Sequence, residues 1–353
     1  MAQLYLQSDI EEIARGIEDI RDKLEGRTIL FSGGGGFLGR YFSLVIDHLN
    51  RSALATPCKL IMLDNLITAT AENDGQAGTE GVSFMEHDII EPLTVDERLD
   101  YVVHAAGIAS PYYYRAYPLK TLDVGITGTR NMLEIARENG ARFMFFSSSE
   151  IYGDPEPQHV PTQESYMGRV SCQGPRACYD ESKRVGETLC SIYHAMHGLS
   201  TNIVRPFNVY GPGMKENDYR VLSNFGSRIK GGRPLKVYGD GRQTRTFCYV
   251  TDAMIGFMRL MILGVPGETY NIGNPEPEVS MLELVQHVEA VVDRDMETHL
   301  IEYPDSYPGG EPTRRCPDIR KARIHLGYEP QVPLRAGLKR FFDWAMDIYT
   351  GNP

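Results

Sequence analysis

No stretch of this chain approaches the roughly 20 consecutive apolar residues that a membrane span needs. The first residues, Met1 to Gln7, lack the basic patch and the long apolar core of a secretory leader, so none is expected. There is no excess of positive charge. The formal net charge is −11, which argues against a nucleic-acid or anionic-membrane partner. It leaves room for an anionic small molecule, because local basic residues can line a pocket of an acidic protein. Cys58, Cys172, Cys178, Cys190, Cys248 and Cys316 are scattered with no CxxC pair, so reduced thiols of a cytoplasmic protein are expected and a metal site is not. No internal repeat or low-complexity tract is visible.

What is present is an ordinary enzyme composition, 42% hydrophobic and 24% charged, over 353 residues. That length accommodates one large α/β domain with a grafted lobe, or two domains. The segment Thr28-Ile29-Leu30-Phe31-Ser32 reads as a buried strand, followed by glycines at 33, 34, 35, 36 and 39 and the apolar start of a helix near Phe37 and Leu38. Gly33, Gly36 and Gly39 form a GxxGxxG turn. Such a turn needs a positive φ, lets a phosphate approach bare backbone, and packs the helix tightly on its strand. The helix start would aim free N–H groups at a pyrophosphate.

Alternating elements continue along the chain. Lys59 to Leu63 reads as the second strand, and Asp64-Asn65 at its end is placed for ribose hydroxyls. A carboxylate there repels a 2′-phosphate, so NAD is expected rather than NADP. Phe84 to Glu86 reads as a third strand, with Asp88 and Ile89 at the adenine edge. Tyr101 to His104 runs as a fourth strand into the small residues Ala105, Ala106 and Gly107. An aromatic loop follows, with Tyr112, Tyr113, Tyr114 and Tyr117 near the crevice of an open sheet. A helix over 129–139, a strand over 142–147 and a strand over 201–205 complete a βαβ rhythm, hence an α/β fold with a Rossmann-like doubly wound parallel sheet.

After about residue 206, Pro/Gly-rich turns separate shorter elements. The expected organisation is an appended helix over 1–26, a dinucleotide-binding domain over 27–205, and a smaller α/β substrate lobe over 206–353 with some segments returning to the main sheet. In the first of these, Ser8 and Glu11 have capping-box spacing, and Ile10, Ile13, Ile17, Ile20 and Leu24 recur with helical period up to Gly26. This helix covers either its own domain or a partner subunit.

Tyr179 and Lys183 stand four apart, on one face of a helix. An ammonium beside a phenol, with the positive nicotinamide, stabilises the phenolate and makes the tyrosine a usable base. The strand before it ends in Ser147-Ser148-Ser149-Glu150, and Ser148 is placed to share a substrate oxygen with Tyr179.

Taken together, GxxGxxG, Asp64, YxxxK and Arg205-Pro206-Phe207-Asn208 resemble the extended short-chain dehydrogenase/reductase family of nucleotide-sugar epimerases, dehydratases and decarboxylases. The resemblance spans Thr28 to about Phe342. Within the family, Gly174 to Glu181, Ser149 to Pro155, Asn217 to Val221, Gln243 to Phe247, Asn271 to Pro275 and Arg315 to Ile319 are most similar to UDP-glucuronate decarboxylases. Related epimerases carry a small residue where Glu150 stands, and related 4,6-dehydratases an acid where Ser149 stands.

The resemblance implies resident NAD and oxidation at sugar C4. It also implies Tyr179 as base, Lys183 tuning it, and Glu150 with Arg315 handling a uronate carboxylate and C5 protonation. Tyr112, Tyr113, Arg176, Asn208, Arg220, Val221, Tyr238, Arg245 and Arg315 would bind the nucleotide sugar, with Arg205, Arg220 and Arg245 as candidates to grip ribose and diphosphate. A homodimer through a four-helix bundle of helices 129–139 and 179–197 is also implied. Decarboxylation of UDP-glucuronate to UDP-xylose or a 4-keto-pentose is the leading expectation. A 4-epimerase or 4,6-dehydratase remains open, as does a catalytically silent NAD-binding regulatory protein. Two departures from the family pattern stand out: Gly125 stands where the resemblance leads one to expect an asparagine, and the aromatic loop reads Pro111-Tyr112-Tyr113-Tyr114-Arg115 where decarboxylases tend to have a second proline and an asparagine.

Overall fold

The computed structural model describes residues 4–68, 81–218, 220–303 and 312–352. Its centre is a seven-stranded parallel sheet: β1 (Thr28–Ser32), β2 (Lys59–Asp64), β3 (Val82–Glu86), β4 (Tyr101–His104), β5 (Arg142–Phe146), β6 (Thr201–Pro206) and β7 (Thr269–Ile272). The spatial order is β7-β6-β5-β4-β1-β2-β3. Chain order therefore reverses between β1 and β4, and the crevice at such a switch point is where open α/β sheets bind ligands. Alternate residues of β1 face opposite sides: Ile29 and Phe31 join one buried cluster and Leu30 the other. That two-sided burial explains why these strands read as unbroken apolar runs.

The first helix is shorter than its hydrophobic period suggests. It covers Gln7–Gly16, with Leu6 at the cap and no side-chain cap bond, so Ser8 and Glu11 form no capping box. A 3-10 turn, Arg21–Leu24, follows. All five periodic residues are nonetheless buried. The reason is tertiary: Asp9 is wholly buried and accepts from the hydroxyls of Tyr249 (2.8 Å) and Tyr41 (3.4 Å). Arg340 of the helix Leu334–Ile348 bonds Glu12 at 2.7 Å. The segment thus clamps its own chain.

The aromatic stretch is helical rather than a loop, forming Pro111–Ala116 and Pro118–Asp123. The second of these continues through a π turn, Val124–Gly128, into the helix Thr129–Asn139. Gly125 has no need of special backbone freedom here. An added Cβ would lie 2.6 Å from Ser182 Cβ and 2.7 Å from its carbonyl oxygen, so the glycine lets this turn press against the helix Ala177–His197.

The C-terminal half adds a three-stranded sheet, Val279–Ser280, Thr244–Arg245 and Arg314–Arg315. In it Arg245 and Arg315 are register partners. Alternation along the last strand turns Arg314 outward to Glu278, which it bonds at 2.9 and 2.7 Å, and Arg315 inward.

Candidate active site

The glycine turn joins β1 to the helix Phe37–Ser52. Gly33 has φ +85°, and its missing Cβ would lie 2.7 Å from the Ala106 nitrogen and 2.8 Å from the Ala105 carbonyl carbon. Gly39 is equally constrained, since a Cβ would sit 2.5 Å from the Gly33 carbonyl oxygen. Gly36 caps the helix without a side-chain bond, leaving the first amides, from Phe37 and Leu38 onward, to meet an anion.

Asp64 ends β2. Its carboxylate accepts from the Gly35 amide (2.9 Å) and the Leu66 amide (2.8 Å), which ties it to the glycine turn. Burial raises its pKa, against these amides. Asn65 donates to Asp88 at 3.0 Å, and Lys120 pairs with Asp88 at 2.7 Å. Ile89 is buried beside them, its carbonyl accepting from Asn131. A bare-backbone cradle, an uncapped helix start and a carboxylate at the end of β2 fit NAD.

Tyr179 and Lys183 lie on the helix Ala177–His197, both buried. The Lys183 ammonium donates to the Phe146 carbonyl at 2.8 Å and stands 5.9 Å from the centre of the Tyr179 ring. Burial lowers Lys183 to about 8. Burial also pushes the Tyr179 phenol up to about 12, against its hydrogen bond with the Ser148 hydroxyl. Within the protein alone, desolvation therefore outweighs the stabilisation expected from sequence. Ser148 Oγ accepts from the Glu150 amide at 3.2 Å, capping the 3-10 turn Ser149–Tyr152, in which Ser149 is buried.

Glu150 is the hub of a charged cluster. Arg315 binds it with two nitrogens, Nη2 at 2.7 Å, and Arg176 donates to the same Oε2. Burial would raise Glu150, but Arg315, Arg176 and Arg245 outweigh that and hold it down at about 2.

The other expected residues fare differently. Arg205 is engaged within the protein: it makes a paired bond to Glu187 at 2.9 and 2.6 Å and donates to the Tyr152 hydroxyl and the Glu164 carbonyl. It belongs to a buried network beneath the site, which corrects the expectation of a diphosphate clamp. Asn208 takes a left-handed turn (φ +43°) and donates to the Thr246 carbonyl at 2.8 Å. Arg220 pairs with Asp218 at 2.8 Å before the helix Val221–Lys230. Tyr238 stacks on Tyr303 with centroids 5.3 Å apart. Tyr112 is 56% exposed, whereas Tyr113 packs on the cluster that contains Tyr179.

Two residues escape a reading from sequence alone. Tyr114 stacks on Tyr179 with centroids 5.4 Å apart and planes 14° from parallel. Which of four neighbouring tyrosines turns inward depends on a helical phase that the spacing does not reveal. Asp180 is buried beside Tyr179, with one carboxylate oxygen lacking a hydrogen-bond partner.

Comparison with known proteins agrees with this geometry. The chain is 42% identical over 312 residues to UDP-glucuronic acid decarboxylase 6 of Arabidopsis thaliana, covering 88% of this chain and 86% of that one. It is 40% identical over 315 residues to UDP-glucuronic acid decarboxylase 1 of Danio rerio, covering 89% and 71%. Among solved structures it is similar to a UDP-glucose 4-epimerase of Thermotoga maritima, solved with UDP-glucose: TM-score 0.76, 26% identity, 90% of this chain and 98% of that one. The model of the NAD dependent epimerase/dehydratase family matches residues 29–273, from the first sheet strand to just past the last, and the chain belongs to that family.

Proposed function

We propose that this protein decarboxylates a nucleotide-linked uronic acid, UDP-glucuronate, giving UDP-xylose or a UDP-4-keto-pentose. The observation that carries the reading is Glu150 held between Arg176 and Arg315 next to the Tyr179–Lys183 pair. A dedicated cluster of arginines around a carboxylate beside a redox site suits a sugar that brings its own carboxylate. The decarboxylases named above share its sequence over most of the chain.

NAD, when bound, supplies the acceptor for the hydride lost from C4. Tyr179 takes the proton of the 4-hydroxyl, with Ser148 bonded to the same oxygen and Lys183 steadying the phenolate. The 4-ketone makes the C5 carboxylate a β-keto acid. Its C5–C6 bond breaks with release of CO₂, and the electron pair passes into an enolate on the C4 oxygen. Glu150 and Arg315, with Ser149 beside them, orient the carboxylate and the water that returns a proton to C5. UDP-xylose requires the hydride to return to C4 with Tyr179 giving its proton back to the C4 oxygen; the UDP-4-keto-pentose forms when it does not. Asn208, Arg220, Val221, Tyr238 and Arg245, in a lobe that begins near residue 206, are assigned to the nucleotide and sugar, together with Tyr112 and Tyr113 of the helix Pro111–Ala116.

We further assign a homodimer that pairs helices Thr129–Asn139 and Ala177–His197, supported by exposed Ile126, Ile192 and Met196 on and next to them. We place the protein in the cytoplasm on its acidic charge and free cysteines. No helix among the described residues is long and apolar enough to cross a membrane.

Product NMR after incubation with UDP-glucuronate, UDP-glucose and UDP-galactose tests the reading. A UDP-pentose made only from the uronate is expected; an epimerised hexose with the uronate untouched would contradict it. The epimerase outcome is the second reading because of the likeness to the Thermotoga enzyme.

A further inference from the structure

Among the described residues, Asp180 is the buried carboxylate next to the base that has no part in the steps assigned to Tyr179, Glu150 and Arg315. It is 6% exposed, its Oδ1 has no hydrogen-bond partner, and its Oδ2 faces Arg176 Nε at 3.7 Å. Arg176 meanwhile donates through Nη2 to Glu150. The guanidinium therefore lies between two carboxylates, and beyond Glu150 stands Arg315.

We propose that Asp180 is a positioning residue that competes with Glu150 for Arg176, so that its charge sets how strongly the Arg176–Arg315 pair holds an anionic sugar. The inference rests on the uronate reading above. The charge count favours it. Arg176, Arg245 and Arg315 face Glu150 and Asp180, a surplus of one positive charge when both carboxylates are ionised and of two when Asp180 is neutral. Each proton gained at Asp180 thus strengthens the site for a carboxylate.

The proton is available near neutrality, because burial and the Glu150 charge push Asp180 up to about 7, against Arg176 and Arg315. The groups that face Asp180 are Arg176, Cys178 and Tyr179 around its own helix, Glu150 after β5, Arg315 from the three-stranded sheet, and Tyr114 from the helix Pro111–Ala116. Glu150 remains ionised throughout this range, leaving Asp180 as the group whose charge changes.

Calorimetric binding of UDP-glucuronate and UDP-glucose to the NAD-loaded protein at pH 6 and pH 8, with Tyr179→Phe carried by wild type and variants alike to suspend turnover, tests the proposal. The two ligands share their diphosphate, so its titration cancels in the ratio of affinities. In the wild type, the preference for the uronate should rise about tenfold from pH 8 to pH 6, the scale of one unit charge at this range in a partly buried site. Asp180→Asn should show the pH 6 preference at both pH values. Asp180→Glu, which keeps the charge, should retain the pH dependence and guards against a folding defect in the amide variant. Equal pH dependence in wild type and Asp180→Asn overturns the proposal while the uronate reading survives. Absence of any preference for the uronate at either pH overturns both.

Discussion

At the residue scale, the central difficulty is acidity. A base buried as Tyr179 is, with its phenol near 12, cannot ionise at neutral pH unaided. Its aids are the Ser148 hydroxyl, the Lys183 ammonium and the cationic ring of NAD⁺ that the adjoining cradle fits. Tyr179→Phe should lower kcat by about 10²- to 10⁴-fold, the usual worth of a positioned acid–base group, with bound NAD unchanged. Turnover within threefold of wild type would remove Tyr179 from the chemistry. The pH profile carries a sign as well. Burial has depressed Lys183 to about 8, so its charge is present below that value and lost as pH rises through it. The kcat/KM of the enzyme should fall on the alkaline side of about pH 8, and an alkaline limb placed beyond pH 10 would mean that Lys183 does not support the phenolate. Glu150, held at about 2, stays ionised from pH 4 upward and contributes no acid limb in the working range.

At the scale of elements, close contacts explain what residue identity alone does not. Gly125 lets the π turn Val124–Gly128 press on Ser182, where a Cβ would lie 2.6 Å from the serine Cβ. Gly125→Asn should destabilise the protein by about 1–3 kcal/mol through overpacking, read as a lower urea midpoint at constant m. A midpoint equal to wild type would show that the two helices part without cost. The first helix makes a parallel case. Asp9→Ala removes the acceptor of the Tyr249 hydroxyl and a partner of Arg340, and should cost about 1–3 kcal/mol for the groups left unsatisfied. An unchanged midpoint in the same urea titration would mean that the segment is not clamped by its carboxylate.

These elements also show where sequence is informative. The glycine turn, Asp64 at the end of β2 and the Tyr179–Lys183 spacing are local patterns, each imposed by one turn or one helix face, and were legible. The phase of the tyrosine helix was not, since an isolated six-residue helix has no hydrophobic period to fix it. Nor was the role of Arg205, because Glu187 lies eighteen residues away on another element and only the fold brings the two together. The short cap-free first helix escaped for the same reason: its apolar period reports burial, which tertiary contacts satisfy without continuous helix.

At the scale of the whole molecule, two halves of the chain converge on one crevice. The parallel sheet supplies the glycine cradle and Asp64, and the helix Ala177–His197 packed on it supplies Tyr179 and Lys183. The distal three-stranded sheet places Arg245 and Arg315 in register beside Glu150. A redox site and a carboxylate-handling cluster are thereby joined, and that union is the core of the account. The most direct test uses UDP-glucuronate labelled with ¹³C at its carboxyl carbon, given to the NAD-loaded protein. The account predicts that the label leaves as CO₂ in step with the appearance of a UDP-pentose, and that Arg315→Leu abolishes both. Label retained in a six-carbon nucleotide sugar would contradict it.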